Sequence, residues 1–358
     1  MISPRPVTRS RKIKKKSFDP NGAAAEDSGV FGLPFSVDEA KVVLLPVAWE
    51  ATTSYGGGTS HGPEAILEAS RQVDLFDLEL GNFYEAGIAM IGNSKSVGQW
   101  NREAKKLAQQ VIKNGGAHSK ALKAVAAKVN SFSEKINKHV YDQTRKFLSE
   151  GKIVGLVGGD HSTPLGSIQA HLEVFPKMGV LHFDAHADLR EAYEGFTHSH
   201  ASIMFNVLKQ TPLEKLVQVG IRDFCEDEFI LIGRNQKRVV TFFDSVLAEQ
   251  KMAGKNWSSI CDNVVGNLPK EVYISFDIDG LDPRFCPHTG TPVPGGLDFQ
   301  EALMMIKKVV TSGRHLVGFD LNEVAPAPGN KDQWDANVGA RLLYKLCGWA
   351  LASKEKLL

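Results

Sequence analysis

The sequence predicts an α/β protein, a three-layer α/β/α sandwich built around a mainly parallel sheet. Short apolar runs without proline recur along the chain, and this pattern is typical of strands covered on both faces. Helical patterns lie between these runs through most of the chain. With 358 residues, of which 42% are hydrophobic and 23% charged, the chain can bury a large core. We therefore expect one domain over residues 35–358, preceded by a partly flexible N-terminal extension, residues 1–34.

The first predicted strand, Lys41 to Leu45, leads into a glycine-rich loop, and a helix is expected to begin near Gly62-Pro63-Glu64. Proline in a first helical turn with an acid beside it is a helix-start signal. The three glycines of the loop do not form a phosphate-binding motif, because no Gly-Lys-Ser/Thr follows them. We expect a flexible loop whose residues Trp49, Glu50 and Tyr55 line a pocket entrance. Packing of Trp49 and Tyr55 against the loop is the alternative.

Residues 99–151 predict two long helices separated by Gly115-Gly116. Apolar residues recur there every three or four positions, which places them on one face of an amphipathic helix. This face comprises Ala121, Val125, Val129, Phe132 and Ile136. It is expected to pack on the sheet or on a neighbouring subunit. His118 and His139 are expected at the surface or as caps.

Three further predicted strands are each followed directly by acidic and histidine residues. Lys152 to Val157 precedes Gly158-Gly159-Asp160-His161, and Gly179 to Phe183 precedes Asp184-Ala185-His186-Ala187-Asp188. Val272 to Phe276 precedes Asp277-Ile278-Asp279. Because the carboxyl ends of strands in an open α/β sheet face a common crevice, these side chains should converge.

The spacing of these residues favours a metal site. Side chains alternate along extended backbone, so Asp184, His186 and Asp188 share one side, as do Asp277 and Asp279. Four carboxylates in one pocket repel each other unless protons or cations intervene, and two divalent ions would balance them. Carboxylate and imidazole ligands without thiolate favour Mn²⁺ or a similar first-row ion. The alternative for any single acid is a helix cap or a turn residue.

At these motifs the chain resembles the ureohydrolases, the arginase and agmatinase superfamily of binuclear manganese enzymes. The resemblance covers about Lys41 to Trp349, and it includes the blocks 275–283 and 289–296. It implies an eight-stranded version of the sandwich, a single catalytic domain over residues 35–358, and frequent assembly into homotrimers or homohexamers.

The resemblance also implies the ligands of two Mn²⁺ ions, with other first-row ions such as Ni²⁺ as alternatives. One ion would be held by His161, Asp184, Asp188 and Asp277, and the other by Asp184, His186, Asp277 and Asp279. Asp184 and Asp277 would bridge the two ions. Hydroxide formed from water between the ions is then the expected nucleophile.

Substrate roles follow from the same resemblance. Glu323, after the strand-like run His315 to Leu321, matches a guanidinium-binding glutamate. His200 is expected to protonate the leaving amine as a group that titrates close to neutrality, while Asp188 relays a proton. Trp49 and Thr291 are also assigned to substrate binding.

Hydrolysis of agmatine to putrescine and urea is the expected reaction, because the stretch 188–195 and the Ser-His-Ala-Ser stretch at 199–202 are similar to those of agmatinases. Guanidine, guanidinobutyrate, guanidinopropionate, arginine and formimidoylglutamate are the alternative substrates. The non-enzymatic alternative is a metal-binding regulatory subunit of the same fold.

The composition limits the possible binding partners and cellular location of the protein. A net charge of +1 argues against a general nucleic-acid surface, although the segment Arg5 to Lys16 is very basic and forms either a solvated terminus or a targeting or anion-binding tail. No apolar stretch in the sequence is long enough to span a bilayer, and no secretory signal is found. The four cysteines show no paired metal spacing, so we expect them reduced, in a cytoplasmic protein.

Overall fold

A computed structural model describes residues 18–330 and 332–355. Eight strands form one sheet in the order β2-β1-β3-β8-β7-β4-β5-β6, and every pair of neighbouring strands is parallel. The strands are β1 Val42–Val47, β2 Ile88–Met90, β3 Ile153–Gly158, β4 Gly179–Phe183, β5 Lys215–Ile221, β6 Val239–Phe243, β7 Glu271–Asp277 and β8 His315–Asn322. The predicted α/β sandwich with an eight-stranded parallel sheet is confirmed.

Within the described residues ten α-helices lie between the strands or after the last one, and they cover the sheet on both sides. They are α1 Gly62–Ser70, α2 Lys95–Ile112, α3 Lys120–Ser149, α4 Leu165–Val174, α5 Ile203–Gln210, α6 Glu226–Arg234, α7 Asp244–Met252, α8 Trp257–Gly266, α9 Phe299–Thr311 and α10 Trp334–Glu355. No described helix combines the length and the apolar character that a bilayer span would need.

The alternation of strand side chains divides the core between the two helical layers. In β1, Val42 and Leu44 pack in the large apolar cluster with α1, α9 and α10, whereas Leu45 and Val47 pack with α2 and α3. Strand β3 is buried at all six positions. Burial on both faces explains why its sequence is continuously apolar.

Strand β1 runs two residues beyond its predicted end and includes Pro46. Proline cannot donate a ladder hydrogen bond, which normally excludes it from a central strand. Here the pairing of β1 with β2 ends at Leu44 and Met90, while the pairing with β3 continues to Val47. The proline therefore sits where one neighbouring strand has already ended.

The two long predicted helices are present, and α2 begins at Lys95, four residues before the predicted start at Gln99. Ser94 and Ser119 cap α2 and α3, and each side chain accepts a hydrogen bond from a backbone N–H three residues on. The buried stripe of α3 begins at Ala126, because Ala121 lies in the exposed first turn. The prediction that Ala121 belongs to the buried face was therefore wrong.

The described part of the N-terminal extension packs on the domain. The Phe31 ring lies 4.8 Å from the Tyr344 ring of α10, and its backbone N–H donates to Ser70 Oγ at 2.9 Å. Phe31 is buried in the large apolar cluster. The basic segment, residues 5–16, lies outside the described residues.

Candidate metal centre

The carboxyl ends of four adjacent strands carry the acidic and histidine residues that the sequence singled out. Strands β3, β8, β7 and β4 lie side by side in the sheet. His161 follows β3, Glu323 follows β8, and Asp279 follows β7. The remaining predicted ligands come from the end of β7 and from the loop after β4. Distant parts of the chain therefore meet at one edge of the sheet.

Two glycines bring the backbone of β3 close to its neighbours. A Cβ at Gly159 would lie 1.8 Å from the Trp49 carbonyl oxygen, and one at Gly158 would lie 1.9 Å from Asn322 Oδ1. A larger residue at Gly159 would displace the Trp49 backbone, and one at Gly158 would displace the buried Asn322 side chain. The Gly-Gly pair thus allows the loop after β3 to pass between β1 and β8 and to place His161 in the cluster.

The first group of candidate ligands surrounds His161. Its Nδ1 atom lies 3.0 Å from Asp184 Oδ2, 3.2 Å from Asp277 Oδ2 and 3.5 Å from Asp188 Oδ2. All four residues are buried. Asp188 has a positive φ of 55°, a conformation that aspartate tolerates better than most residues. The structure therefore brings together the four residues predicted for one ion.

The second group surrounds His186. Its Nδ1 atom lies 3.1 Å from Asp279 Oδ2 and 3.4 Å from Asp184 Oδ1. Asp184 is thus common to both groups. Asp277, the other predicted bridge, contacts the His161 group through Oδ2, while its Oδ1 accepts a hydrogen bond from the Asp279 backbone N–H at 2.9 Å.

Neighbouring hydrogen bonds fix the orientation of His161. Ser275 Oγ donates its only proton to Asp320 Oδ1 at 2.9 Å. Ser275 Oγ must therefore accept the hydrogen bond from His161 Nε2, which also lies 2.9 Å away. With its proton on Nε2, the ring turns the Nδ1 lone pair toward the carboxylates. Such a polar partner behind a histidine is typical of metal ligands.

His182 is a cluster member that the sequence analysis missed. Its Nε2 atom lies 2.8 Å from Asp184 Oδ2, and it shares a potential metal-binding group with His161, Asp184 and Asp188. It belongs to β4, which we read as a purely apolar strand. The available signal was its position two residues before Asp184, which places both side chains on one side of the chain.

The cluster holds more negative charge than its histidines can balance. Burial and then the Asp184 carboxylate raise the pKa of Asp188 well above its usual range, and burial with the Asp279 and Asp184 carboxylates does the same to the pKa of Asp277. Burial opposes ionisation of Asp184 too, yet His182 and His161 hold its pKa well below that range. Burial lowers the pKa of His186, but Asp279 and Asp184 raise it to about 12.

This donor set fits a pair of divalent cations. The four buried carboxylates of Asp184, Asp188, Asp277 and Asp279 repel one another in one site, and two dications would balance their charge. Ligand atoms of His161, His182, Asp184 and Asp188 lie within 4.8 Å of one another, and so do ligand atoms of Asp184, His186 and Asp279. Oxygen and imidazole ligands suit Mn²⁺ and similar ions, and the described cysteines are free thiols outside the cluster.

Glu323 lies beside the cluster in an unusual environment. It has a positive φ of 62°, and its Oε1 accepts a hydrogen bond from the His161 backbone N–H at 2.9 Å. Its Oε2 atom is buried and has no hydrogen-bond partner among the described residues. Burial and then the Asp277 carboxylate raise the pKa of Glu323 well above its usual range. A buried, unpaired carboxylate oxygen of this kind favours a cationic partner.

Two loops form a roof over Glu323, which we define as residues 54–57 and 288–291. The Gly56 backbone N–H donates to the Gly290 carbonyl at 3.1 Å, and Thr289 Oγ1 donates to the Glu323 carbonyl at 2.8 Å. A Cβ at Gly56 would lie 2.6 Å from the Gly290 oxygen. The glycines of the first loop therefore permit a close backbone contact.

A cavity of about 160 Å³ opens beside the His186 group. Its lining includes His186, Asp188, Arg190, His200, Asp223 and Thr291. Thr291 Oγ1 lies 3.5 Å from Asp279 Oδ2. The structure thus places His200 and Thr291 at this cavity, whereas Glu323 lies on the β8 side of the cluster and is not part of the lining.

His200 differs from its expected titration. Burial, assisted by the nearby His186 imidazole, lowers the pKa of His200 to about 4. The ring is therefore neutral at pH 7, whereas the sequence suggested a group that titrates close to neutrality. As a neutral imidazole it can accept a proton and pass it on, which still suits a proton-transfer role.

The glycine-rich loop after β1 does not supply the predicted pocket residues. Trp49 is fully buried in an apolar cluster with α2 and α3, so its assignment to substrate binding is corrected. Its carbonyl instead accepts from the Asp160 backbone N–H at 2.8 Å. Glu50 is also buried and binds Lys105 and the Gly58 backbone N–H. Tyr55 is 87% exposed and does not pack the loop down.

Comparisons with known proteins agree with this geometry. The model of the arginase family matches residues 40–348. The N(1)-aminopropylagmatine ureohydrolase of Synechocystis sp. is 32% identical, and the match covers 90% of this chain and 93% of that protein. The agmatinase of Cronobacter sakazakii is 31% identical over 84% of each chain. The solved agmatine ureohydrolase of Thermoplasma volcanium superposes with a TM-score of 0.69 and 24% identity, covering 90% of this chain and 94% of the other.

The parallel sheet and the carboxylate–imidazole cluster at the carboxyl ends of its strands define a metal-binding protein of the three-layer α/β/α class. The chain belongs to the arginase family. It is a ureohydrolase, an enzyme that acts on the C–N bonds of linear amidines.

Proposed function

We propose that this enzyme hydrolyses agmatine to putrescine and urea. The observation that carries the proposal is the unpartnered Glu323 Oε2 atom beside the cluster, because a guanidinium group can satisfy a buried carboxylate with directed hydrogen bonds. N(1)-aminopropylagmatine, which several relatives are named for, carries the same guanidinium on a longer amine and belongs to the same substrate class.

The charges around the cavity favour a substrate with a cationic tail. Arg190 lines the cavity, but its Nε atom lies 3.6 Å from Glu228 Oε2, so its charge is largely offset. Asp223 lines the cavity with a side chain that is 67% exposed. The rim therefore carries an accessible carboxylate, which suits the ammonium group of agmatine.

We propose that His161, Asp188, Asp184 and Asp277 hold one Mn²⁺ ion and that His186, Asp279, Asp184 and Asp277 hold the other. When bound, the two cations supply Lewis acidity and polarise water. Glu323 orients the guanidinium. His200, neutral at the start, receives a proton and delivers it to the departing amine nitrogen. Asp188, which lines the cavity, would relay that proton.

A second candidate is a guanidino acid such as guanidinobutyrate. Arg190 favours it, because the guanidinium of this residue lies at the cavity and could exchange Glu228 for a substrate carboxylate. Such an exchange would leave Glu228 buried without this partner, although it also accepts hydrogen bonds from the Leu189 and Cys225 backbone N–H groups.

The substrate is tested by urea release from Mn²⁺-loaded protein given agmatine, N(1)-aminopropylagmatine, guanidinobutyrate, arginine and guanidine in parallel. We expect the highest kcat/KM with agmatine. A higher value with N(1)-aminopropylagmatine would move the assignment to the longer amine, and a higher value with guanidinobutyrate would overturn the cationic-tail argument.

A matched pair of variants tests the role of the rim. Asp223→Asn should raise KM for agmatine about two- to fivefold, the effect of losing one partly exposed ion pair. The control is Asp227→Asn, which removes the same charge from an exposed position in the first turn of α6. Equal effects of the two variants would show that only the overall charge matters.

Residues 35–358 are proposed to form one catalytic domain, active as a homotrimer or homohexamer in the cytoplasm. Light scattering of the purified protein at assay concentration measures the number of subunits. A monomer with full activity would remove the oligomer from this proposal.

A further inference from the structure

Three polar residues lie side by side on three adjacent strands. His182 of β4 is paired in register with Gln218 of β5, and Gln218 is paired with Thr241 of β6. His182 and Gln218 are fully buried, whereas Thr241 is half-buried near the sheet edge. Because residues paired in register project to the same side of the sheet, the three side chains lie in line behind the metal cluster.

The hydrogen bonds of Gln218 fix which of its side-chain atoms is nitrogen. One atom lies 2.8 Å from the Ala187 carbonyl, which only accepts, so this atom is Nε2. The other atom accepts from Thr241 Oγ1 at 2.9 Å and is therefore Oε1. The same Nε2 atom lies 3.0 Å from His182 Nδ1.

This arrangement determines the tautomer of His182. Since Gln218 Nε2 can only donate, His182 Nδ1 must accept, and the ring carries its proton on Nε2. That proton points to Asp184 Oδ2 at 2.8 Å. The backbone N–H of His186 donates to the other carboxylate oxygen, Asp184 Oδ1, at 2.6 Å.

We propose that His182 is a positioning residue, locked by Gln218, that fixes the carboxylate plane of Asp184 so that this residue can bridge two cations. The proposal rests on the metal site of the proposed function. Gln218 acts at a second point as well, because its bond to the Ala187 carbonyl holds the loop between His186 and Asp188. One buried amide thus orients a bridging ligand and supports the segment that carries two others.

Direct ligation by His182 is the competing role. The residue shares a candidate group with His161, Asp184 and Asp188. Ligation through Nε2 would require the proton on Nδ1, where it would face the Gln218 amide, and two donors would then oppose each other at 3.0 Å. The amide orientation set by Ala187 and Thr241 therefore disfavours a ligand role.

The test measures Mn²⁺ affinity and stoichiometry by calorimetric titration of the full chain, with His182→Leu, His182→Gln, Gln218→Leu and the double variant His182→Leu/Gln218→Leu. We expect two ions per chain in all proteins. His182→Leu should weaken affinity about 10- to 100-fold, the usual effect of losing a partner of a metal ligand. His182→Gln, whose amide can still donate to Asp184, should stay closer to the wild type.

The double variant separates positioning from general destabilisation. If Gln218 acts partly through His182, the affinity loss in the double variant is smaller than the sum of the two single losses, since the two side chains share one contact. Any loss beyond that of His182→Leu alone then measures the bond from Gln218 to the Ala187 carbonyl. His171→Gln is the control, because His171 is also a fully buried imidazole but bonds the Ser167 carbonyl, away from the cluster. It should change stability and leave Mn²⁺ affinity unaltered.

Several results would overturn the proposal. The first is a His182→Leu variant that binds Mn²⁺ as tightly as the wild type. The second is a His182→Leu variant that binds one Mn²⁺ ion per chain instead of two. The third is a Gln218→Leu variant whose Mn²⁺ affinity is unchanged or higher. If only the proposed function fails, the result is different. The wild type then binds two Mn²⁺ ions and His182→Leu binds them more weakly, but no guanidino compound yields urea.

Discussion

Glu323 and His161 are joined by a hydrogen bond from the His161 backbone N–H to Glu323 Oε1 at 2.9 Å, although 162 positions separate them in the chain. This bond ties the loop after β8 to the loop after β3. It uses one carboxylate oxygen for structure and leaves the other, Oε2, without a partner among the described residues. The two oxygens of Glu323 can therefore be tested separately.

Glu323→Gln keeps an acceptor for the His161 N–H but removes the negative charge. We expect KM for agmatine to rise about 10- to 100-fold, the range expected for loss of a hydrogen bond between charged groups. Steady-state kinetics together with metal analysis checks this, and metal content should not change. Glu271→Gln, at the opposite end of the neighbouring strand β7, serves as the control. Loss of metal from the Glu323 variant would instead make this residue part of the ion site.

His200→Ala should keep both ions and lower kcat about 10²- to 10⁴-fold, the usual effect of removing a general acid–base group. The matched control is His198→Ala, because His198 lies two residues away, contacts Thr197 and is not part of the cavity lining. Single-turnover rates with agmatine measure the effect. An unaltered rate in the His200 variant would reassign the proton transfer to another group.

Gly159→Ala should destabilise the protein by about 3 kcal/mol or more, because the added Cβ would lie 1.8 Å from the Trp49 carbonyl and backbone must move. Urea denaturation measures the free energy of unfolding. Gly233→Ala, at an exposed helical position with nothing within 4 Å of the new Cβ, should instead stabilise by about 0.5 to 1 kcal/mol. Equal stabilities of the two variants would contradict the close approach at Gly159.

His171 should make folding sensitive to mild acid. Burial lowers the pKa of His171 from 6.5 to about 4, so the folded protein disfavours a proton that the unfolded chain accepts. Its contribution to stability is present above pH 6.5 and is lost as pH falls toward 4. Between pH 7 and 5 the loss is about 2 kcal/mol.

The measurement compares urea unfolding of the wild type and of His171→Gln at pH 7 and pH 5. The variant should show a smaller decrease in the free energy of unfolding over this interval, because glutamine does not titrate. A decrease as large as that of the wild type would assign the pH dependence to other buried histidines.

The fold and the position of the site could be predicted because both depend on local patterns. Buried parallel strands are continuously apolar, and polar residues directly after them stand out, as at Asp184 and Asp277. Strand ends then determine where those side chains meet. Family resemblance was needed for Glu323, since an acid after a strand has no distinctive pattern of its own.

What could not be predicted depends on contacts between distant segments. The burial of Trp49 is set by packing against α2 and α3, which the loop sequence does not encode. His182 and Gln218 sit inside apolar runs, and their role is visible only when the strand register pairs them. The partly buried position of His200, where desolvation lowers its pKa, likewise follows from tertiary packing.

The roof over Glu323 has a kinetic consequence. One backbone hydrogen bond, from Gly56 to Gly290, joins the two loops directly, and a bond of this type contributes only about 1 kcal/mol net. Small loop openings are therefore expected far more often than unfolding of the central strands. If the proposed guanidino substrate enters during these openings, hydrogen exchange at the Gly56 amide measures how often its route to the Glu323 carboxylate opens.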